Sequence, residues 1–194
     1  AQPEYQDPVE FFARTYLTRG ISHLLIEGLK RLSGNDGEPV VQVKTAFGGG
    51  KTHAMLSLYH LLHAPQKVAK LEHVAALLSE AGMDTPPEAS VAVLVGTALA
   101  GTGTQKDPTG HGLAVRTLWG EMAAQLGGAD GYEMIAADDR AGIAPGSDQL
   151  VELFQRFGPC LILIDEMVVF IRKLYQAADA GAGSFDTNLS FIQS

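Results

Sequence analysis

Three consecutive glycines followed by a lysine and a threonine, at residues 48–52, constrain this chain more than any other feature. A β-branched run at 40–44 precedes them, and an apolar-periodic segment reaching about His63 follows. This order predicts a strand at 40–44, a loop, and a helix from Thr52. Glycine has no Cβ, so the loop amides can turn inward and bind a polyphosphate beside the helix N-terminus.

Lys51 and Thr52 complete the predicted phosphate site. Lys51 would contact the β- and γ-phosphates, and the Thr52 hydroxyl would hold Mg²⁺. Thr45 stands where the pattern G-x-x-x-x-G-K-[ST] has its first glycine, and Phe47 is unusually large and apolar for such a loop. The simpler interpretation is a glycine-rich turn beside a chance Lys-Thr pair. The predicted nucleotide-binding residues are Phe47, Gly48, Gly49, Gly50, Lys51, Thr52 and His53.

A second motif lies where the apolar run 160–164 is followed by Asp165 and Glu166. The run predicts a buried parallel strand, which would deliver Asp165 to the carboxyl edge of a sheet. Asp165 could hold the water shell of Mg²⁺ there, and Glu166 could polarise a water for attack on the γ-phosphate. Alone, such a pair is more often a solvated turn. Together the motifs predict an ATP site with Glu166 and Lys51 as catalytic residues and Thr52 and Asp165 as metal ligands.

Composition and charge narrow the setting of this site. The 194 residues are 46% hydrophobic and 19% charged, which is enough for one substantial core, and one domain is the simplest count. The formal charge of −8 argues against direct DNA binding. The chain shows neither an apolar run of membrane-spanning length nor a signal region, so we expect a cytoplasmic protein with no membrane contact. The single Cys160 excludes an internal disulfide and is expected to be a small buried hydrophobe.

The remaining segments alternate predicted helices and strands. Apolar spacing predicts one helix or two within 9–32, with any break near Gly20. The glycine- and threonine-rich segment 96–112 predicts a long loop at the ligand-binding edge of the sheet. Trp119 is expected to anchor the core, and Ser147 to cap a helix whose buried stripe includes Val151. Further helices are predicted at 67–82, 113–126, 132–139 and 167–178, a strand at 90–95, and a flexible break at 179–183. The chain then divides into a helical lead-in, 1–36, and a nucleotide-binding α/β core, 37–194.

Several segments resemble a family of large prokaryotic predicted AAA+-type P-loop ATPases, specifically its N-terminal ATP-binding part. The family carries only the label domain of unknown function 499. The resemblance covers the chain from Asp7 onward and implies ATPase activity with ATP and Mg²⁺. It places Lys51 and Thr52 in the phosphate and metal roles, and Asp165 and Glu166 in the Walker B roles. The similar segments are 45–53, 58–61, 96–99, 116–121, 145–148 and 161–166.

The resemblance also implies a fold and a setting. The fold is α/β, a three-layer P-loop NTPase of the ASCE or AAA+-like kind with a mostly parallel sheet. The sheet would be incomplete, because a later strand should lie between the strands at 40–44 and 160–164 and the chain stops soon after Glu166. Neighbouring antiphage genes in the family imply a role in defence or DNA processing, and the departure at Thr45 looks like a family trait. The expected partners are a nucleotide, the remainder of a longer polypeptide and further copies of the chain.

Other interpretations stay open. The chain could bind the nucleotide as a sensing or structural module without hydrolysis, or act as a kinase-like transferase with 96–112 as a lid. Residues Phe11 and Phe12 belong either to the core or near the adenine. A metal site on one helix face would use His53, His60 and His63, although no cysteine or acidic partner stands at ligand spacing. The arginine-finger candidates are Arg140, Arg156 and Arg172.

Overall fold

The chain divides into two compact units in a computed structural model, Ala1–Ala89 and Ser90–Ser194. The structure describes residues 5–44, 50–101, 104, 105, 107, 110, 112–176 and 182–193. Thr45, Phe47, Gly48 and Gly49 lie outside the described residues, as do parts of the predicted loop 96–112 and of the predicted break at 179–183. The α/β class expected from the sequence is confirmed, as a mostly helical chain with a small parallel sheet.

The described part of the first unit is helical. Its elements are α1 (Pro8–Arg14), α2 (Arg19–Leu32), α3 (Lys51–His63), α4 (Pro65–Val68) and α5 (Glu72–Glu80). The Asp7 carboxylate caps α1 by accepting hydrogen bonds from the amides of Val9 and Glu10, both at 2.9 Å. The predicted break in the first helical segment falls before Arg19, because Thr18 caps α2, and Gly20 lies inside its first turn. The helix predicted at 67–82 is interrupted between α4 and α5.

The strand predicted at 40–44 is not formed, and this prediction is wrong for the described structure. Val40 is 83% exposed and Val41 is 48% exposed, and the segment has no regular secondary structure. A β-branched run becomes a strand only when a neighbouring strand supplies a hydrogen-bond ladder and a face to bury. The described residues of the first unit contain no strand that could act as that neighbour.

The second unit is built on two parallel strands, β1 (Ser90–Val95) and β2 (Cys160–Asp165). They pair in register from Ser90 opposite Cys160 to Val95 opposite Asp165. Both strands were predicted, and parallel pairing places their carboxyl ends at one edge. The helices of this unit are α6 (Leu118–Ala141), kinked at Gly128, then α7 (Ser147–Phe157), α8 (Met167–Gln176) and α9 (Phe185–Gln193).

The long helix α6 packs on β1 and organises the core of the second unit. Trp119 is fully buried, which confirms it as a core anchor. The Gln125 amide pairs with the β1 backbone, accepting from the amide of Val93 at 2.7 Å and donating to its carbonyl oxygen at 3.0 Å. This pairing satisfies the outward polar groups of the strand at that residue. Ile164 of β2 is 44% exposed, so the predicted burial of both sheet faces is only partly met.

Three smaller predictions in this unit need correction. The helix predicted from residue 113 begins at Leu118, because the Thr117 hydroxyl caps it by accepting from the amide of Gly120 at 3.0 Å. Ser147 is the first residue of α7, and Gly146 is its cap. Val151 is exposed, and Leu153 takes the buried position instead.

Cys160 is half-buried against the core, and burial raises the pKa of its thiol.

None of the helices in the described part of the chain combines the length and the apolarity needed to cross a membrane.

Candidate functional site

The first half of the predicted site is the start of α3. Gly50 has a left-handed backbone with φ 81° and forms the N-cap, and among the described residues no side chain caps the helix. A residue with a Cβ is strained in this conformation, so the cap position selects glycine. Lys51 and Thr52 follow in the first helical turn, one residue earlier than predicted, with Lys51 half-buried and Thr52 exposed.

His53, the last of the predicted nucleotide-binding residues, contacts α1. Its ring centroid lies 4.7 Å from that of Phe11, and its Nε2 lies 3.0 Å from the Thr15 hydroxyl. The hydroxyl proton of Thr15 is donated to the carbonyl oxygen of Phe11 at 2.7 Å. Nε2 of His53 therefore donates to the Thr15 oxygen, which fixes its tautomer. The ring thereby joins the start of α3 to α1.

The other histidines of α3 also have partners within the first unit. Nε2 of His60 donates to the carbonyl oxygen of Tyr5 at 3.1 Å, and its ring lies 4.8 Å from Phe11. Burial lowers the pKa of His60. His63 stacks on Tyr59. No group of three or more metal-ligating side chains occurs in the residues the structure describes. Phe11 and Phe12 are both buried, at 2% and 1% exposure, and they belong to the core.

The second half of the predicted site is the carboxyl edge of the β1–β2 pair. The ladder ends where the amide of Gly96 donates to the carbonyl oxygen of Asp165 at 2.9 Å. The Asp165 side chain turns back on its own backbone and accepts from the amide of Glu166 at 2.9 Å. Asp165 is half-buried and Glu166 is exposed. The predicted carboxylates therefore lie at the carboxyl edge of the β1–β2 sheet, as expected from the sequence.

Contacts to its side chain and to its carbonyl group hold Glu166 in place. Its φ of 52° is left-handed, which is rare for a residue with a side chain. Its carboxylate oxygen Oε2 accepts from the Thr97 hydroxyl at 2.7 Å, and its carbonyl oxygen accepts from the amide of Val169 in α8 at 2.9 Å. Gly96 approaches so closely that a Cβ there would collide with the Glu166 carbonyl group. These contacts connect Glu166 to the turn that follows β1.

Lys173 is a residue of this edge that the sequence analysis missed. Its ammonium group donates to three backbone carbonyl oxygens of the turn after β1: Gly96 at 3.2 Å, Thr97 at 2.8 Å and Leu99 at 2.8 Å. Lys173 lies in the second turn of α8, which begins one residue after Glu166. No pattern in the sequence indicates this role, because the three acceptors are backbone carbonyl oxygens.

A buried carboxylate, that of Asp139, binds the backbone directly before α6. Asp139 is fully buried and accepts hydrogen bonds from the amides of Arg116 and Thr117, at 3.1 Å and 2.8 Å. It also accepts from the hydroxyls of Thr117 and Tyr132, at 2.6 Å and 2.8 Å. Burial, followed by the hydrogen bond to Asp139, raises the pKa of Tyr132 to about 12. No sequence motif pointed to Asp139, since its role is to bind backbone across the fold.

The arginine-finger candidates differ in their surroundings. Arg156 lies 3.9 Å from a carboxylate oxygen of Asp130, and its guanidinium lies 5.5 Å from the centroid of the Phe157 ring. Arg140 and Arg172 are exposed on α6 and α8.

Comparison with known proteins identifies one family. No curated protein and no solved structure matches the chain. The family described as DUF499 N-terminal domain matches residues 1–192, almost the whole length. The chain therefore belongs to the DUF499 family.

Proposed function

We propose that this chain binds ATP with Mg²⁺ and that the full-length protein hydrolyses the bound ATP. The observation that carries the proposal is the start of α3, where a left-handed glycine leads directly into Lys51 and Thr52 in the first helical turn. Such a helix start offers backbone N–H groups and the positive end of the helix dipole to an anion. A lysine and a hydroxyl at that point are the groups that a magnesium-bound triphosphate needs.

Each proposed residue has a chemical role. Lys51 neutralises charge on the β- and γ-phosphates, and Thr52 supplies a hydroxyl oxygen to Mg²⁺. Asp165 supplies a carboxylate oxygen to the metal or to its waters. Mg²⁺ takes only one or two protein ligands beside phosphates and waters, so a hydroxyl and a carboxylate are a suitable donor set. When bound, the metal neutralises charge that develops on the phosphates.

Glu166 is the proposed general base. Its carboxylate is exposed, and one oxygen is occupied by the Thr97 hydroxyl. The other oxygen can accept a proton from a water as that water attacks the γ-phosphate in line. A carboxylate anchored through one oxygen keeps its orientation while the second oxygen acts.

The accompanying fold in this proposal is the three-layer P-loop arrangement. Support comes from the parallel pairing of β1 and β2 and from the helical connection between them, which is the connection that parallel strands require. In that fold β1 and β2 are two strands of a larger sheet. The resemblance to predicted AAA+-type ATPases agrees with this assignment and suggests defence or DNA processing as the setting.

Calorimetric titration with ATP and Mg²⁺ tests the binding step. We expect Lys51→Ala to weaken binding at least tenfold, since a charge-assisted contact to the phosphates is lost. Lys67→Ala is the matched control, because Lys67 is an exposed lysine on α4 of the same unit. Equal heats for the wild-type protein and Lys51→Ala would refute phosphate binding at α3.

Phosphate release by the full-length protein tests the hydrolytic step. Glu166→Gln should retain ATP binding and lose turnover by about a hundredfold or more, because the amide cannot accept the proton. Glu152→Gln, an exposed position on α7, is the control. Binding by the wild-type protein without phosphate release, with or without DNA, would favour the non-hydrolysing module instead.

A further inference from the structure

The turn after β1 directs several backbone acceptors at one side chain. Three of its carbonyl oxygens, from Gly96, Thr97 and Leu99, converge on the ammonium group of Lys173. A lysine ammonium has three N–H donors, so the whole donor capacity of Lys173 serves this one turn. Its stem also packs close, since a Cβ on Gly101 would lie 3.0 Å from the Cβ of Lys173.

The same turn carries the hydroxyl that binds the proposed base. Thr97 donates to Oε2 of Glu166 at 2.7 Å, although both residues are exposed. A hydrogen bond between exposed side chains is weak unless its backbone supports are fixed, because water competes for both groups. Charge-assisted bonds from Lys173 to the carbonyls on either side of the Thr97 Cα supply that support.

Glu166 and Lys173, at the two ends of one short segment, both bind the turn after β1. β2 ends at Asp165, Glu166 turns the chain into α8, and Lys173 on α8 reaches back to the turn whose Thr97 binds Glu166. We infer that Lys173 is a positioning residue for the proposed hydrolysis: it fixes the 96–99 turn so that the Thr97 hydroxyl orients the Glu166 carboxylate. This inference rests on the proposed function.

The kinetic test uses the full-length protein and the substitution Lys173→Met, which keeps the stem and removes the donors. Lys173 is assigned no contact with ATP, so kcat should fall about tenfold while KM stays within twofold. Lys173→Arg keeps a cation with several donors and should restore part of kcat. Lys70→Met is the matched control on an exposed lysine and should behave as the wild-type protein.

A double substitution separates positioning from general loss of structure. If Lys173 acts through Thr97, the pair Lys173→Met with Thr97→Val should lower kcat no further than Thr97→Val alone. Multiplying losses would show that Lys173 acts by another route and would overturn the inference. A kcat for Lys173→Met equal to that of the control, or above it, would do the same.

A third measurement does not depend on ATP. Carbon-13 labelling of threonine methyls gives a signal for Thr97 that is identified by its absence in Thr97→Val. Lys173→Met should shift this signal toward a rotamer-averaged value, and Lys70→Met should leave it in place. An unmoved signal in Lys173→Met overturns the inference. Absence of phosphate release by the wild-type protein refutes the proposed function instead, whatever the methyl signal shows.

Discussion

The two regions that carry the proposed site residues are held in different ways. In the first unit, the face of α3 is packed by rings: Phe11 contacts both His53 and His60. In the second unit, the sheet edge is held by hydrogen bonds directed at backbone groups, including the three from Lys173. One region is specified by the packing of apolar and aromatic surface, and the other by the pairing of polar groups.

This difference predicts different sensitivities to substitution and pH. Ring packing depends on volume, so truncation leaves a cavity that neighbours fill only partly. A hydrogen-bond network depends on the direction in which its donors point, so removal of one acceptor leaves several donors without a partner. A packed histidine adds a dependence on pH that hydroxyl and amide donors lack.

The largest expected loss of stability follows from removing the Phe11 ring, which packs against His53 and His60. Phe11→Ala should lower the free energy of unfolding by about 4 kcal/mol, because Phe11 is buried and contacts Phe12 as well as both histidines. Urea denaturation followed by far-UV circular dichroism measures the change. Tyr16→Ala is the control, since Tyr16 is 84% exposed and its truncation should cost under about 1 kcal/mol. Similar losses for the two variants would contradict ring packing as the basis of this region.

The second largest expected loss of stability concerns the hydrogen bonds that Asp139 accepts in the second unit. Asp139→Ala should lower the free energy of unfolding by about 3 kcal/mol, because it leaves the donors of Arg116, Thr117 and Tyr132 without their acceptor. Fluorescence of Trp119, the single tryptophan, reports this unit during urea unfolding. Asp130→Ala, on the same helix and exposed, should cost under about 0.5 kcal/mol. A small loss for Asp139→Ala would mean that water replaces the network readily.

Local pattern predicted the elements well where the cause is local. The periodicity of α3 and the apolar runs of β1 and β2 gave helix and strands within one or two residues, because these signals lie in the segment itself. The strand predicted at 40–44 was wrong because a strand also requires a partner elsewhere in the chain, which the segment itself does not show. The start of α6 moved to Leu118 because Thr117 supplies the cap, which a hydrophobic pattern does not reveal.

The candidate site was predictable as residue types and not as contacts. The pair Asp165 and Glu166 was expected at a strand end because buried strands expose their last carboxylate. Nothing in the sequence shows that Thr97 binds Glu166, since 69 residues separate them. Lys173 was missed because a lysine on a helix is usually solvated, and its three acceptors are backbone groups that leave no mark in the sequence.

The third effect asks whether the sheet edge tolerates added volume. Gly96→Ala should lower the free energy of unfolding by about 2 kcal/mol, because the new Cβ collides with the carbonyl group of Glu166 and one backbone must move. Gly20→Ala is the control in the first unit, where no atom lies within 4 Å of the added Cβ. Within helix α2 that change should be neutral or stabilise by up to about 1 kcal/mol. Equal tolerance at both glycines in urea denaturation would contradict a tightly specified edge.

The smallest effect is the pH dependence that ring packing gives the first unit. Burial lowers the pKa of His60 against the opposing hydrogen bond to Tyr5, while His63 lowers it further and Asp7 raises it. The unfolded chain therefore takes up a proton at His60 near pH 6.5, and the folded chain does so only at lower pH. Stability from neutral His60 is complete above about pH 6.5 and is lost as the pH falls toward the folded pKa.

The matching experiment compares the wild-type protein with His60→Gln in urea denaturation between pH 7.5 and pH 5. The wild-type free energy of unfolding should fall more steeply with decreasing pH than that of the variant, because only the wild-type protein binds the extra proton on unfolding. Parallel pH profiles for the two proteins would show that His60 accepts its proton in place, and that the ring contacts with Phe11 survive the charge.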